Sequence, residues 1–548
     1  MASRATSELH LQQSVDEAIL AKLGYKQELR REFTPLETFG VAFTFVGVVP
    51  SIASVLFYAV PNGGPVAMVW GWTFACFFII CIGLAMAELA SAAPTSGGLY
   101  YWTHSLASPR CRNFLAWIVG YANTIQFITG VASGEWACAI QITAAASIAS
   151  NKAYATTNKE LYVGIVACHP REPGYQNFGK AANILHLPEY VPLPHNHHCA
   201  SGGDTIRIPK HCELCTGGIY KLYASSASYD RSSQQVVVNG WSSGLAFVLS
   251  LMTPLYTIGG FDCSVHMSEE VSNAAVAVPW AIINSIVVSA ILGWGINVSL
   301  AFCMGTDISG IVNSPTGQPM AQILYNSLGQ KGALAVWCIL ITTQYIIVSN
   351  CLLVGSRQSF AFARDGALPF SRYLYRINRY THTPVNTVWF DAVLILAIGL
   401  LAFVGTQAIN AVFTIAVTAS YISYITPITA RFVFKNNFKP GPFNLGRLSF
   451  PVAVISVSWM IFMSVIFLFP TTPQTTAQEM NYTVVVLGGF MSLATFWYYC
   501  PVYGGVHWFN GPVSNIAPVM RGGEGEEDSV SEKTDKRDTV LSVSATDV

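Results

Sequence analysis

The chain has 548 residues, of which 52% are hydrophobic and only 11% charged, and its mean hydropathy is +0.44. Soluble domains carry about 25% charged residues, so this composition describes a membrane protein and excludes a water-soluble enzyme. Lysine plus arginine and aspartate plus glutamate balance at 29 each, which removes any overall positive charge that would attract nucleic acid.

Residues 1–37 are polar, include Lys26, Arg30 and Arg31, and show no cleavable signal pattern; they read as a cytoplasmic tail preceding a first span that serves as the insertion signal. A bilayer core about 30 Å thick needs about 20 apolar residues per helix. Segments of that kind fall at 39–60, 65–90 and 113–147 within 38–152. Seven more fall within 239–512, at 243–267, 279–304, 332–354, 385–405, 408–428, 450–470 and 481–503. Irregular backbone in lipid would strand polar groups, so all ten are expected to be helices. Cysteines such as Cys76, Cys81, Cys138, Cys338 and Cys351 sit inside these segments and do not describe a disulfide scaffold.

Basic residues set the orientation. Arg110 and Arg112, then Arg357, Arg364, Arg372, Arg376 and Arg379, then Arg431, Lys435, Lys439 and Arg447 fall in alternate loops, while 61–64 and 471–480 hold none. Both termini are therefore expected in the cytoplasm. Asn481-Tyr482-Thr483 falls outside on this scheme, where it is equally a glycosylation acceptor or a chance sequon. Residues 513–548 are charged and Ser/Thr-rich and read as a disordered cytoplasmic tail.

Two spans are interrupted. FTFVGVVPSIASVLF carries Gly47 and Pro50 in its middle, and the fourth span carries Pro254 followed by Gly259-Gly260. Proline removes a backbone donor and frees a carbonyl four residues earlier. Broken helices in lipid are tolerated only where protein or an aqueous cavity satisfies the backbone, and matched breaks in two parts of a chain point to a transport site at the bilayer midplane. Helix N-termini there suit a carboxylate. Asp262 lies beside the second break, and a charge within the membrane is by default a functional hypothesis.

These residues also carry a resemblance. LGYKQELRREFTPLETFG, GLAMAELASAAPTSGGLYYWTH, TIGGFDCSVHMSEEVSNAAVAVPWAI, SRQSFAFARDGALPFS and KPGPFNLGR resemble fungal amino-acid permeases of the amino acid–polyamine–organocation (APC) superfamily, in the branch that holds GABA permeases and amino-acid and choline carriers. The resemblance implies an all-α polytopic fold of two inverted five-helix repeats plus two further helices. It also implies secondary active transport of amino acids or GABA-like zwitterions by alternating access, with a proton as coupling ion and no cofactor. By position it assigns the first break to Pro50, Ser51, Ile52, Ala53 and Ser54, and the sixth-helix break to Thr257, Ile258, Gly259, Gly260 and Phe261. N–H groups near Ser51–Ser54 would hold a carboxylate, carbonyls near Thr257–Gly259 an amino group, and Phe261 would cover the site. Asp262, Glu88 and Glu135 are the coupling or gating candidates; Glu88 reads more readily as a structural partner at a helix end, and Glu135 equally as a group for proton coupling or substrate-amine binding and as a residue paired or protonated for packing. His266 by itself reads as a packing residue. The membrane is the plasma or vacuolar membrane.

Residues 153–238 depart from the family. Where it has its fourth and fifth helices, this chain has a polar stretch with prolines such as Pro170, Pro173, Pro188, Pro192 and Pro194, which break spanning helices. His197, His198, Cys199, His211, Cys212 and Cys215 include a C-x-x-C spacing that would suit zinc. A genuine extracellular insertion is a second reading. The interval is about as long as the two missing helices, so the reading favoured here is replacement through a frame or splice error. Choline or polyamine transport, a non-transporting sensor and an inactive paralogue remain as alternatives. A membrane enzyme ranks last, because no nucleophile elbow or phosphate loop is present in the sequence.

Overall fold

A computed structural model describes residues 15–152, 154, 158–168, 241–378, 383–403, 406–470 and 480–515. Among them the fold is helical, and the one β-type pairing is an isolated bridge between Phe33 and Val271. Each of the ten apolar segments contains a helix. Seven are long and apolar enough to cross a membrane, and Ser243–Thr257, Val385–Gly399 and Thr483–Tyr499 are shorter apolar helices.

In chain order the elements are α1 (Pro35–Val46), α2 (Val48–Ala59), α3 (Trp72–Ala92), α4 (Gly98–Leu106), α5 (Arg112–Ala149) and α6 (Asn158–Cys168). There follow α7 (Ser243–Ser250), α8 (Met252–Thr257), α9 (Cys263–His266), α10 (Ala274–Cys303) and α11 (Pro319–Arg364). The last four are α12 (Val385–Gly399), α13 (Thr406–Val433), α14 (Ser449–Ile466) and α15 (Thr483–Tyr499). The long α5 packs along α11 and α13, and α10 packs along α3 and α1. The tryptophan Nε1 of Trp337 donates to the Gln141 carbonyl at 2.8 Å, tying α11 to α5.

Helix α1 starts on a capping box: Thr34 N–H donates to Glu37 at 2.8 Å, and the Thr34 hydroxyl accepts from Glu37 N–H at 3.3 Å. Pro35 occupies the first helical position, where no N–H is needed. The first span breaks at Gly47, which is left-handed at φ 47°. That is three residues before Pro50, the start assigned from the sequence. The physical reason is that glycine takes positive φ at low cost, whereas Pro50 falls in the first turn of α2 and needs no partner there. Ser51, Ile52, Ala53 and Ser54 are helical, and Ser51 N–H already donates to the Gly47 carbonyl at 2.9 Å. The N–H groups without an intrahelical acceptor are therefore those of Val48 and Val49.

The second interruption runs over 258–262, between α8 and α9, with Gly260 left-handed at φ 71°. A Cβ on Gly260 would stand 2.0 Å from the Phe45 ring, in the last turn of α1. The two breaks therefore face each other. Their other halves meet as well: α1 packs on α9 and α2 on α8, and the Thr253 hydroxyl donates to the Val55 carbonyl at 3.1 Å.

Helix α6 begins the departing interval. Its 11 described residues pack on α5 and α12. The histidine–cysteine zinc candidate lies outside the described residues.

Gly260→Ala is expected to destabilise the protein by about 1–3 kcal/mol from the backbone conformation alone, with more from displacing Phe45. Gly488→Ala, at a helical position where nothing stands within 4 Å of the added Cβ, is the control and should not destabilise. Thermal unfolding of the purified variants checks this; equal melting temperatures would mean that the breaks are not apposed.

Candidate functional site

Between the two breaks lies a cavity of about 670 Å³ of atom-free space, its open mouth included. Five helical segments build it. Phe45, Val46, Ser51 and Ser54 come from the first span; Gln126, Phe127, Gly130 and Gly134 from α5; Tyr256, Thr257, Gly259 and Gly260 from the second break. Gln344, Ile347, Val348 and Cys351 come from α11, and Ala416, Val417 and Ser420 from α13. None of these side chains is charged. The polar equipment is amide and hydroxyl: Gln344 donates to the Gly134 carbonyl at 3.4 Å, the Ser133 and Tyr256 hydroxyls pair at 2.8 Å, and the buried Thr257 hydroxyl has no hydrogen-bond partner among the described residues.

Of the residues singled out in the sequence, Ser51, Ser54, Thr257, Gly259 and Gly260 line the cavity, while Pro50, Ile52, Ala53, Ile258 and Phe261 do not. Phe261 packs on Tyr424 with ring centroids 5.5 Å apart; the ring against the glycine pair is Phe45. Glu135 is buried in α5 beside lining residue Gly134 but is not itself a lining residue. Glu88 stands at the end of α3, where both its oxygens meet Arg431 at 2.6–2.9 Å and the Ser449 hydroxyl donates at 2.7 Å. Phe45, Gln126, Phe127, Tyr256, Gln344 and Ser420 were not identified from the sequence. The signal for the two glutamines was available: polar residues facing inward in apolar spans.

Asp262 lies behind the cavity and is fully buried. Tyr424 donates to it at 2.7 Å, Asn123 at 3.2 Å and Gln126 at 3.2 Å. Gln126 thus touches both the cavity and the carboxylate.

Beyond Asp262, toward the face bearing the arginines (the basic face), a stack of contacts closes the way. Arg364 grips Glu269 with two bonds of 2.9 and 3.1 Å, and Arg357 pairs with Glu270 at 2.9 Å. The segment before α1 lies across this layer: Gln27 donates to the Glu269 carbonyl at 2.7 Å, Arg31 to the Ser268 carbonyl at 3.3 Å, and Phe33 N–H to the Glu270 carbonyl at 3.0 Å. Tyr25 stacks under Arg364 at 4.0 Å. Tyr25 and Tyr100 both donate to Asp365, at 3.0 and 2.7 Å, and Val513 N–H adds a third bond at 3.2 Å. Burial pushes the Glu269 carboxyl upward, but the charge of Arg364 and the bonds it receives outweigh that and hold it below the usual carboxylate range. At Asp365 burial wins over Arg364 and the three donors, and its carboxyl is pushed up to about 6.

Toward the opposite face a second cavity, of about 530 Å³ of atom-free space, lies between the outer halves of the broken helices and is lined by Tyr58, Met252, Thr414 and Asn481 among others. The Asn481 amide donates to the Phe467 and Phe469 carbonyls at 2.8 and 2.9 Å, so the sequon nitrogen is already engaged. Among the described residues no three His, Cys, Asp or Glu side chains are grouped to hold a metal ion.

Residues 36–169 and 215–490 match the profile of the amino acid permease family. An uncharacterised amino-acid permease of Schizosaccharomyces pombe is 37% identical over 508 residues, covering 91% of this chain and 88% of the relative. The GABA-specific permease of Saccharomyces cerevisiae is 34% identical over 92% of this chain and 86% of its own length. Amino-acid permease 2 of Neurospora crassa is 32% identical over 94% and 92% respectively.

Asp365 yields a pH prediction. Its folded value, about 6, lies above the unfolded value of about 3.9, so its contribution to stability is fully present below about pH 4 and is lost as pH rises through 6. Asp365→Asn, which fixes the uncharged form, should raise the melting temperature relative to the parent at pH 7.5, and the gain should shrink at pH 5. A gain that is the same at both values would show that the carboxylate charge is not opposed by burial.

Proposed function

The chain belongs to the amino acid permease family, within the fungal branch of the APC superfamily, and we propose that it carries a zwitterionic amino acid or GABA-like solute by alternating access around its two broken helices. It is a multi-pass membrane transporter of amino acids, not an enzyme. The observation that supports the finer reading is the apposition of the breaks around a cavity without a charged side chain. Burying a net charge there would be expensive, while a zwitterion brings its own compensation. The Val48 and Val49 N–H groups at the start of α2 suit its carboxylate. The carbonyl end of α8 and the faces of Phe45, Phe127 and Tyr256 suit its ammonium group. A cation such as choline would leave the N–H groups unmatched.

With the arginine-bearing face taken as cytoplasmic, the conformation described is closed toward the cytoplasm. Opening requires the Arg364–Glu269 and Arg357–Glu270 pairs to part. A proton gradient supplies the drive in this reading, across the plasma or vacuolar membrane.

A second reading, that the chain binds substrate without completing transport, is favoured by one observation: the family profile leaves 170–214 unmatched. Translating the locus in its other frames across 160–238 tests this, since replacement by a frame error predicts two apolar helices there.

Uptake of labelled GABA, alanine and choline by cells lacking their own carriers tests the transport reading. Saturable uptake of a zwitterion but not of choline is expected. Gln344→Ala should raise the half-saturating concentration about threefold to tenfold, the worth of one hydrogen bond of about 0.5–1.5 kcal/mol. Uptake of choline alone would overturn the zwitterion assignment, and uptake of nothing would favour the second reading.

A further inference from the structure

Asp262 has an unusual set of partners. Its two oxygens receive bonds from Tyr424, Asn123 and Gln126, all uncharged donors. Among the described residues its one ion-pair partner is His266, one helical turn away, with Nε2 at 3.7 Å from Oδ2. Both residues are fully buried. His266 Nδ1 lies 2.8 Å from the Ser96 carbonyl, which can only accept, so Nδ1 holds a hydrogen in every protonation state. That leaves Nε2 as the atom that gains or loses a proton. It is buried without a hydrogen-bond partner among the described residues and faces the carboxylate.

We propose that Asp262 and His266 form the proton-binding centre of this carrier, and that Gln126 passes its state to the substrate cavity. A proton taken up at Nε2 adds to the ring lone pair, breaks no bond, and converts a buried negative charge into a neutral ion pair. Imidazole is the side chain suited to that exchange near neutral pH. The 3.7 Å gap leaves room for the new N–H to close on Oδ2 within the single turn that joins Asp262, the cap of α9, to His266. Gln126 bonds the same carboxylate and lines the cavity, so its amide reports the change to a bound solute. The surroundings do not supply a competing counter-ion. From α5 come the Asn123 and Gln126 amides and the Phe127 ring, edge-on to His266 at 5.3 Å; from α13 comes the Tyr424 hydroxyl. The Cys263 thiol lies next in the chain, and Cys351 of α11 is near it. Beyond the Thr95–Ser96 turn, Glu269 accepts from Ser96 N–H at 3.1 Å, but its charge is held by Arg364, as that of Glu270 is by Arg357.

Two measurements test this on the purified full chain, with His266→Gln, whose amide still donates to Ser96, Asp262→Asn, and the double variant. The first is a double-mutant cycle in melting temperature, which does not depend on transport. A non-additive effect of about 2 °C or more at pH 5.5 that vanishes at pH 8 is expected; an effect equal at both values, or absent at both, overturns the proposal. The second is labelled GABA accumulation in proteoliposomes. A one-unit gradient, acidic on the side of uptake, is worth up to about tenfold accumulation per proton, and each single variant should lose this out of proportion to any loss of GABA exchange. Gradient-driven accumulation that survives in His266→Gln overturns the coupling role. The coupling step rests on the transport reading, and the two fail separately: a parent chain that shows the pH-dependent cycle but moves no GABA sinks transport of GABA while the proton-binding pair stands.

Discussion

A backbone amide in lipid must find a partner, and two helices that stop in mid-bilayer can do so only in protein or in a protein-walled cavity. In this chain the two breaks stand against each other and wall a cavity. Gly47 lets the first span turn, Gly260 lets the sixth-helix equivalent turn, and Phe45 from one packs where any side chain on the other would have stood. The cavity, its amide lining and the carboxylate behind it all depend on that close approach.

Charge is distributed accordingly. At the basic face every buried carboxylate discussed above meets a guanidinium or several donors: Glu88 with Arg431, Glu269 with Arg364, Glu270 with Arg357. Removing one member of such a pair is costly because it strands the other. Asp262, one layer deeper, has dipoles where the others have cations. A carboxylate held by uncharged donors and two held by guanidinium groups therefore sit within eight positions of each other in the sequence.

Much of this was legible in the chain. Each of the ten apolar runs contains a helix, and the pair Gly259-Gly260 marked the second break because it follows Pro254 and adjoins Asp262 in the same span; the pair Gly488-Gly489, with neither beside it, sits in an unbroken helix. The first break was placed too late because Pro50 is the louder signal; a proline in the first turn of a helix costs nothing, and the conformational work falls to Gly47. Gln126 and Gln344 were overlooked although each is a polar residue in an apolar run, because periodicity alone does not tell which face of a wholly buried helix meets a cavity. The union of Tyr25 with Asp365, 340 positions apart, has no local signature at all, and neither has the approach of His266 Nδ1 to the Ser96 carbonyl.

The stretch before α1 and the stretch after α15 converge on one aspartate. Asn515 N–H donates to the Gly24 carbonyl at 3.1 Å, and Asn515 accepts from Lys26 N–H at 2.6 Å, so the two flanking segments are bonded directly to each other. A change made at Gly24–Lys26 is therefore felt at Asn515, and one made at Val513 is felt at Tyr25, because each flank reaches the other through the same carboxylate.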